Sequence, residues 1–94
     1  MTSVFDVLAA PARRAILDEL HERDGQALFE LCTRLTMKHG MELTRQAISQ
    51  HLDVLEAAGL VRTRKDGRYK FHHICREPLA EIAARWGISK GKER

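Results

Sequence analysis

Cysteine is scarce in this chain: Cys32 and Cys75 lie far apart and without Cys-x-x-Cys spacing, so reduced thiols are expected and not a disulfide framework. No long apolar run and no secretory leader pattern occur, which excludes a membrane-spanning helix and points to a soluble, cytoplasmic protein. Internal repeats and Gly/Ser-rich or Pro-rich linkers are also missing, and only the last few residues, SKGKER, read as disordered. Catalytic patterns are absent too. No Ser/His/Asp arrangement, paired carboxylates or phosphate-cradling glycine loop can be argued from the spacing, and a chain of 94 residues offers little room for a cleft. No enzyme and no cofactor is expected.

What the chain does have is an uneven charge. Residues 1 to 43 carry five basic and seven acidic groups, whereas residues 44 to 94 carry eleven and six, so the formal charge of +3 is the sum of −2 and +5. A polyanion is the expected partner of the second half. The length corresponds to one domain over residues 1–94, small enough for association with a second copy to help it.

Hydrophobic periodicity divides the chain into helices. Ser3 is a good N-cap for a short first helix to Ala9, where Val4, Phe5, Val7 and Leu8 give more apolar surface than so short an element buries alone. Pro11 suits the first turn of a second helix, PARRAILDELHER, which ends at Asp24-Gly25 and carries Arg13 and Arg14 near its start. A third helix from about Ala27 to Lys38 sets Leu28, Leu31, Cys32 and Leu35 on one stripe, making Cys32 first a core residue. His39-Gly40 breaks it. Met37, Met41 and Leu43 are expected to cover the core around the connection, and Thr44 is a good N-cap for a fourth helix.

That fourth helix and its exit carry the most information. In TRQAISQHLDVLEAAG, Ile48, Leu52 and Leu55 form the packing face and leave Arg45, Gln46, Ser49 and Gln50 on the other. Gly59 ends the helix, and LVRTRKDGRYKFHHI reads as two strands around an Asp66-Gly67 hairpin turn. Five cations, Arg62, Arg64, Lys65, Arg68 and Lys70, face a single acid there. Tyr69 and Phe71 are expected to pack the hairpin onto the helices. A last helix opens at Pro78, with Leu79, Ile82, Ala83 and Trp86 at helical spacing.

Two helices joined by a short turn, the second polar-faced, form a helix-turn-helix. Arginine can make two hydrogen bonds to guanine and glutamine two to adenine in the major groove. A basic hairpin can follow the phosphate backbone or enter the minor groove. The fold class expected is mainly α with a small β-hairpin: a winged helix-turn-helix of about five helices and a two-stranded wing.

The order APARRAILDEL, LFELC, SQHLDVLEAAGLV and the basic hairpin resembles the ArsR type of bacterial transcriptional regulators, over nearly the whole chain. The resemblance implies a sequence-specific double-stranded DNA-binding protein, typically a repressor, that meets a palindromic operator as a homodimer. It implies DNA contacts from Thr44, Arg45, Gln46, Ser49, Gln50, His51, Arg62, Arg64, Lys65, Arg68 and Lys70. It implies a dimer interface on the first and last helices, from Val4, Phe5, Leu8, Leu79, Ile82 and Trp86. The paired-cysteine box of metal-sensing members is incomplete, since Arg34 takes the place of the second cysteine. His72 and His73 would point to opposite faces of a strand. No metal is therefore expected, and no inducer is evident. His21 and His39 read as surface or helix-end groups. Two alternatives stay open: a winged-helix module that binds an acidic protein, and a repressor switched by oxidation of Cys32 or Cys75.

Overall fold

The computed structural model describes residues 3–85, and the part of the last helix expected to hold Trp86 lies outside them. Five helices and one small sheet follow in the order α1 (Val4–Leu8), α2 (Pro11–Glu22), β1 (Gln26–Ala27), α3 (Leu28–His39), α4 (Arg45–Ala57), β2 (Val61–Asp66), β3 (Tyr69–Ile74) and α5 (Glu77–Arg85). The expected helices and hairpin are all present. The caps explain why the helices begin where they do: Ser3 Oγ accepts from Asp6 N at 3.2 Å, and Thr44 Oγ1 accepts from Ala47 N at 3.0 Å. At α3, Ala27 has no acceptor to offer, but Glu30 Oε1 reaches back to accept from Ala27 N at 3.0 Å.

Helices α2, α3 and α4 bury Ile16, Leu20, Leu31, Leu35, Ile48 and Leu55 in one core, closed from the sheet side by Leu60 and Val61. Cys32, Met41 and Leu43 pack at its edge. Met37 does not: it is 79% exposed, because α3 runs on to His39 and turns that side chain outward before Gly40 stops the helix at φ 65°. The backbone N of Met41 then donates to Leu35 O at 3.0 Å, which satisfies a carbonyl of the last turn.

The two-stranded wing expected is present as β2 and β3, and the sheet extends beyond it. Gln26 and Ala27 add a third strand, in the order β1-β3-β2, all antiparallel. Two residues are too few to show an alternating pattern, so this strand is illegible in sequence. The hairpin turn is also displaced by one residue. Asp66 pairs with Tyr69, so the central positions are Gly67 and Arg68, and only Gly67 has positive φ (65°). Glycine at the first central position is the pattern of a type II′ turn. Asp24 clasps the sheet to the end of α2: its Oδ1 accepts from Ile74 N at 2.7 Å and its Oδ2 pairs with His73 Nδ1 at 3.0 Å.

Among the described residues three polar side chains are buried: Glu19, Gln26 and His72. Glu19 sits between α2 and α3, 3.4 Å from Arg34, 3.2 Å from Lys38 and 3.0 Å from His39. Burial opposes its charge, but the hydrogen bonds of His39 and Lys38 outweigh that and hold the carboxyl below its ordinary value. His39 is a helix-end group as expected, the last residue of α3, but it is half-buried against Glu19 and does not stand on the open surface. Arg34, at the position where a second cysteine would complete a metal box, is turned to the same carboxylate.

Candidate nucleic-acid interface

On an ideal helix each residue advances 100°, and Arg45, Gln46, Ser49, Gln50 and Asp53 fall on one side of α4, opposite Ile48, Leu52 and Leu55. Arg45, Gln46 and Gln50 are exposed, and Ser49 is half-buried beside Arg45. His51 is not part of that side. It lies on the opposite flank, half-buried, where burial and the positive charge of Arg13 in α2 both push its pKa down. Thr44, exposed at the leading end of α4, contributes its hydroxyl to the cap.

The wing brings Arg68 and Lys70 to one cleft with Arg45 and Ser49. Arg62, Arg64, Lys65, Arg68 and Lys70 are all exposed. Their side chains, like those of Arg45, Gln46, Ser49 and Gln50, make no hydrogen bond or ion pair among the described residues. The pairing register divides them between two faces of the hairpin. Lys65 and Lys70 share a face with Val61, Thr63, His72 and Ile74, while Arg62 and Arg64 share the other with His73, Phe71, Asp66 and Tyr69.

Tyr69 and Phe71 do not serve as the expected anchor to the helices. Their rings stack on each other at 6.2 Å between centroids, and Tyr69 is 56% exposed. The hairpin is instead held by polar and buried groups of its helix-facing side. Thr63 Oγ1 donates to Glu56 Oε2 of α4 at 3.1 Å, Cys75 N donates to Leu60 O at 2.8 Å, and His72 is buried against β1. His72 Nδ1 lies 2.9 Å from Gln26 O. A carbonyl can only accept, so Nδ1 carries the hydrogen. Burial pushes the His72 pKa below its ordinary value of 6.5, only partly offset by that hydrogen bond.

Two further positioning groups have no signal in the sequence pattern. Gln26 Nε2 donates to Glu19 O at 3.1 Å and Arg23 O at 2.8 Å, capping the end of α2 while its own backbone carries β1. Arg13 and Arg14 of α2 reach back to α1: Arg13 Nε donates to Val7 O at 2.8 Å, and Arg14 to Leu8 O and Ala9 O at 2.7 and 3.0 Å. A five-residue helix with no basic residue in its last turn has its carbonyl end satisfied from its neighbour.

Between α4 and the wing lies a cleft of about 290 Å³, bordered by Arg45, Ser49, Asp53 and Glu56 on one side and by Arg68, Tyr69, Lys70 and His72 on the other. Ala27, Leu28 and Phe29 close its end. Among the described residues no group of three or more His, Cys, Asp or Glu side chains could hold a metal ion, and no helix is long and apolar enough to cross a membrane.

Comparison with known proteins agrees with this geometry. A helix-turn-helix domain family matches residues 8–64, more than half of the chain. The uncharacterized HTH-type transcriptional regulator YuzN of Bacillus subtilis is 44% identical over 84 residues, covering 89% of this chain and 91% of that protein. The crystal structure of a possible transcriptional regulator for arsenical resistance superposes with a TM-score of 0.76 at 33% identity, covering 93% of this chain and 83% of that one. An ArsR-like transcriptional regulator from Rhodococcus sp. RHA1 gives a TM-score of 0.76 at 34% identity, over 89% of this chain and 71% of that one. With its polar-faced second helix, its basic wing and these relatives, the chain belongs to the ArsR type of winged helix-turn-helix transcriptional regulators, DNA-binding proteins and not enzymes.

Proposed function

We propose that the protein is a cytoplasmic repressor that binds a palindromic operator as a homodimer of single-domain chains. Thr44, Arg45, Gln46, Ser49 and Gln50 enter the major groove, and Arg62, Arg64, Lys65, Arg68 and Lys70 follow the backbone. The observation that carries this reading is that nine polar and cationic side chains of α4 and the wing are left without any internal hydrogen bond or ion pair among the described residues. Side chains held by no neighbour are available to bases and phosphates. His51 is left out of the reading set because it lies on the other flank of α4.

The dimer reading rests on α1 and α5. No residue of α5 is buried, and Phe5 is 49% exposed. Val4, Leu8 and Leu79 are half-buried against the protein's own core, and Val4 also lines, with Phe5, Pro78 and Ile82, a groove between α1 and α5 that a second copy covers. Two recognition helices then stand about 34 Å apart, one turn of DNA. Sedimentation equilibrium should show a dimer for the natural chain and a shift toward monomer for Phe5→Glu combined with Ile82→Glu. A mass unchanged by that pair of substitutions would remove this interface.

Selection of bound duplexes from a random pool tests the function as a whole: an enriched inverted repeat is the expected outcome, and no enrichment refutes sequence reading. On the wing, Arg64→Ala should weaken binding to every duplex alike and reduce the slope of log affinity against log salt by about two, one for each protomer of the dimer. A slope that stays the same means Arg64 touches no phosphate.

A further inference from the structure

Lys65 and Lys70 stand directly opposite each other across the hairpin. Like charges in that relation destabilise a strand pair, and neither lysine has a hydrogen bond or ion pair among the described residues to offset it. The next directly opposed pair on the same face is Thr63 with His72. Thr63 is bonded to Glu56, so this face of the hairpin is the one turned to α4. The wing therefore turns two unneutralised cations and a buried histidine toward the helix that carries Arg45, and Lys70, His72 and Arg45 all border the cleft between them.

His72 is 5% exposed, and its Nδ1 is used by Gln26 O. Its Nε2 makes no hydrogen bond among the described residues, yet it is not one of the sealed polar atoms; Gln26 Oε1 alone is in that condition there. A neutral ring with Nδ1–H offers a bare lone pair at Nε2. A lone pair repels an incoming anion. A protonated Nε2 attracts it, and a phosphate in the cleft supplies the negative charge that makes protonation favourable.

We propose that the cleft between α4 and the wing seats one phosphodiester of the DNA backbone, with Arg45 and Lys70 at its sides and His72 beneath, where Nε2 takes up a solvent proton as the phosphate arrives and donates a hydrogen bond to a phosphate oxygen. This rests on the DNA-binding reading above. The only bond changes are the O–H broken in a solvent hydronium and the N–H formed at Nε2, with a water molecule released.

The charges around the ring decide the direction. Lys70 and His73 on its own strand oppose protonation, and Glu56 of α4 favours it. From α4, Arg45 and Asp53 also border the cleft, and Arg68 does so from the turn. β2 brings the neutral Thr63 opposite and Lys65 beyond it, β1 brings only Gln26 and Ala27, and α3 brings Leu28 and Phe29. The carboxylate that α2 buries, Glu19, is turned to α3, and Asp24 is engaged by His73 and Ile74. Burial first, and the neighbouring cations after it, thus hold the free ring neutral, and a phosphate seated against Nε2 opposes both.

The test uses the full chain and the best-bound duplex of the random-pool selection, at constant ionic strength. The ring resonances of the five histidines are titrated by NMR with and without duplex, and affinity is measured at pH 8 and pH 6. The expected result is that duplex moves the His72 titration upward and that affinity rises about three- to tenfold between pH 8 and pH 6. His72→Asn retains an N–H for Gln26 O and cannot take the proton, so its gain should vanish while binding at pH 8 persists; if that variant does not fold, the wild-type titration decides alone. Duplex bound with the His72 titration unmoved overturns the seat and leaves DNA binding standing. Failure of any duplex to be selected overturns the DNA-binding reading and the seat with it. Inorganic phosphate at the same phosphate concentration should leave His72 unmoved, and an equal effect would make this a free-anion site and overturn the assignment to DNA.

Discussion

Replacing Arg45 and Gln46 together by alanine is expected to lower affinity for the selected operator by about a thousandfold while leaving the protein folded. A bidentate arginine–guanine or glutamine–adenine contact discriminates by about 1–3 kcal/mol. Two such contacts at the low end come to about 2 kcal/mol per recognition helix, and a dimer presents two helices. Affinity for random duplex should fall far less, because only the charge of Arg45 matters there. The fold should survive because both side chains are exposed, neither is bonded to the rest of the described structure, and alanine is the best helix former. Fluorescence titrations of operator and random duplex at one salt concentration, with a thermal melt as control, measure all three expectations. Equal losses on both duplexes would show that α4 contributes charge and no sequence reading.

The second large effect lies in the core. Glu19→Gln removes only the charge of a side chain that is 2% exposed and is contacted by Arg34, Lys38 and His39. Removing one member of a buried ion pair costs about 3–5 kcal/mol when the partner charge stays buried. Here the three partner side chains are 24–40% exposed and can turn to water, so about 2 kcal/mol is the expected loss. For a domain of this size that corresponds to a melting temperature lower by roughly 10 °C. The pH dependence has a definite sign. The Glu19 carboxyl titrates below its ordinary 4.5 in the folded protein, so its stabilisation is complete above that value and is lost as pH falls through the folded value. Urea unfolding of the natural chain should weaken across that acid window, whereas the contribution is missing from Glu19→Gln at every pH. Identical stability at pH 7 would show that the cluster does not hold α2 to α3.

Residues that act through local pattern were legible, and residues that act through distant partners were not. Ile48, Leu52 and Leu55 repeat at helical spacing, so both the buried and the exposed side of α4 follow from order alone. Glu19 stands beside Asp18 in α2, and its sequence neighbours say nothing of Arg34, Lys38 and His39, which lie a helix away. His72 and His73 were separable by strand alternation. That one of them is buried beneath a cleft depends on β1, whose two residues have no pattern to read. The hairpin itself was visible, but its turn was displaced by one position because Asp-Gly and Gly-Arg both satisfy a glycine-containing two-residue loop.

The sequence by itself determined the helices, their caps, the wing and the charge that directs them to a polyanion, because capping, periodicity and turn chemistry act between near neighbours in the chain. The tertiary structure alone decided that His51 leaves the reading side, that Arg13 and Arg14 hold the end of α1, that Lys65 opposes Lys70, and that Arg45 and His72 border one cleft. Those relations join groups up to dozens of residues apart, and they come into being only when the core has set α2, α3, α4 and the sheet against one another.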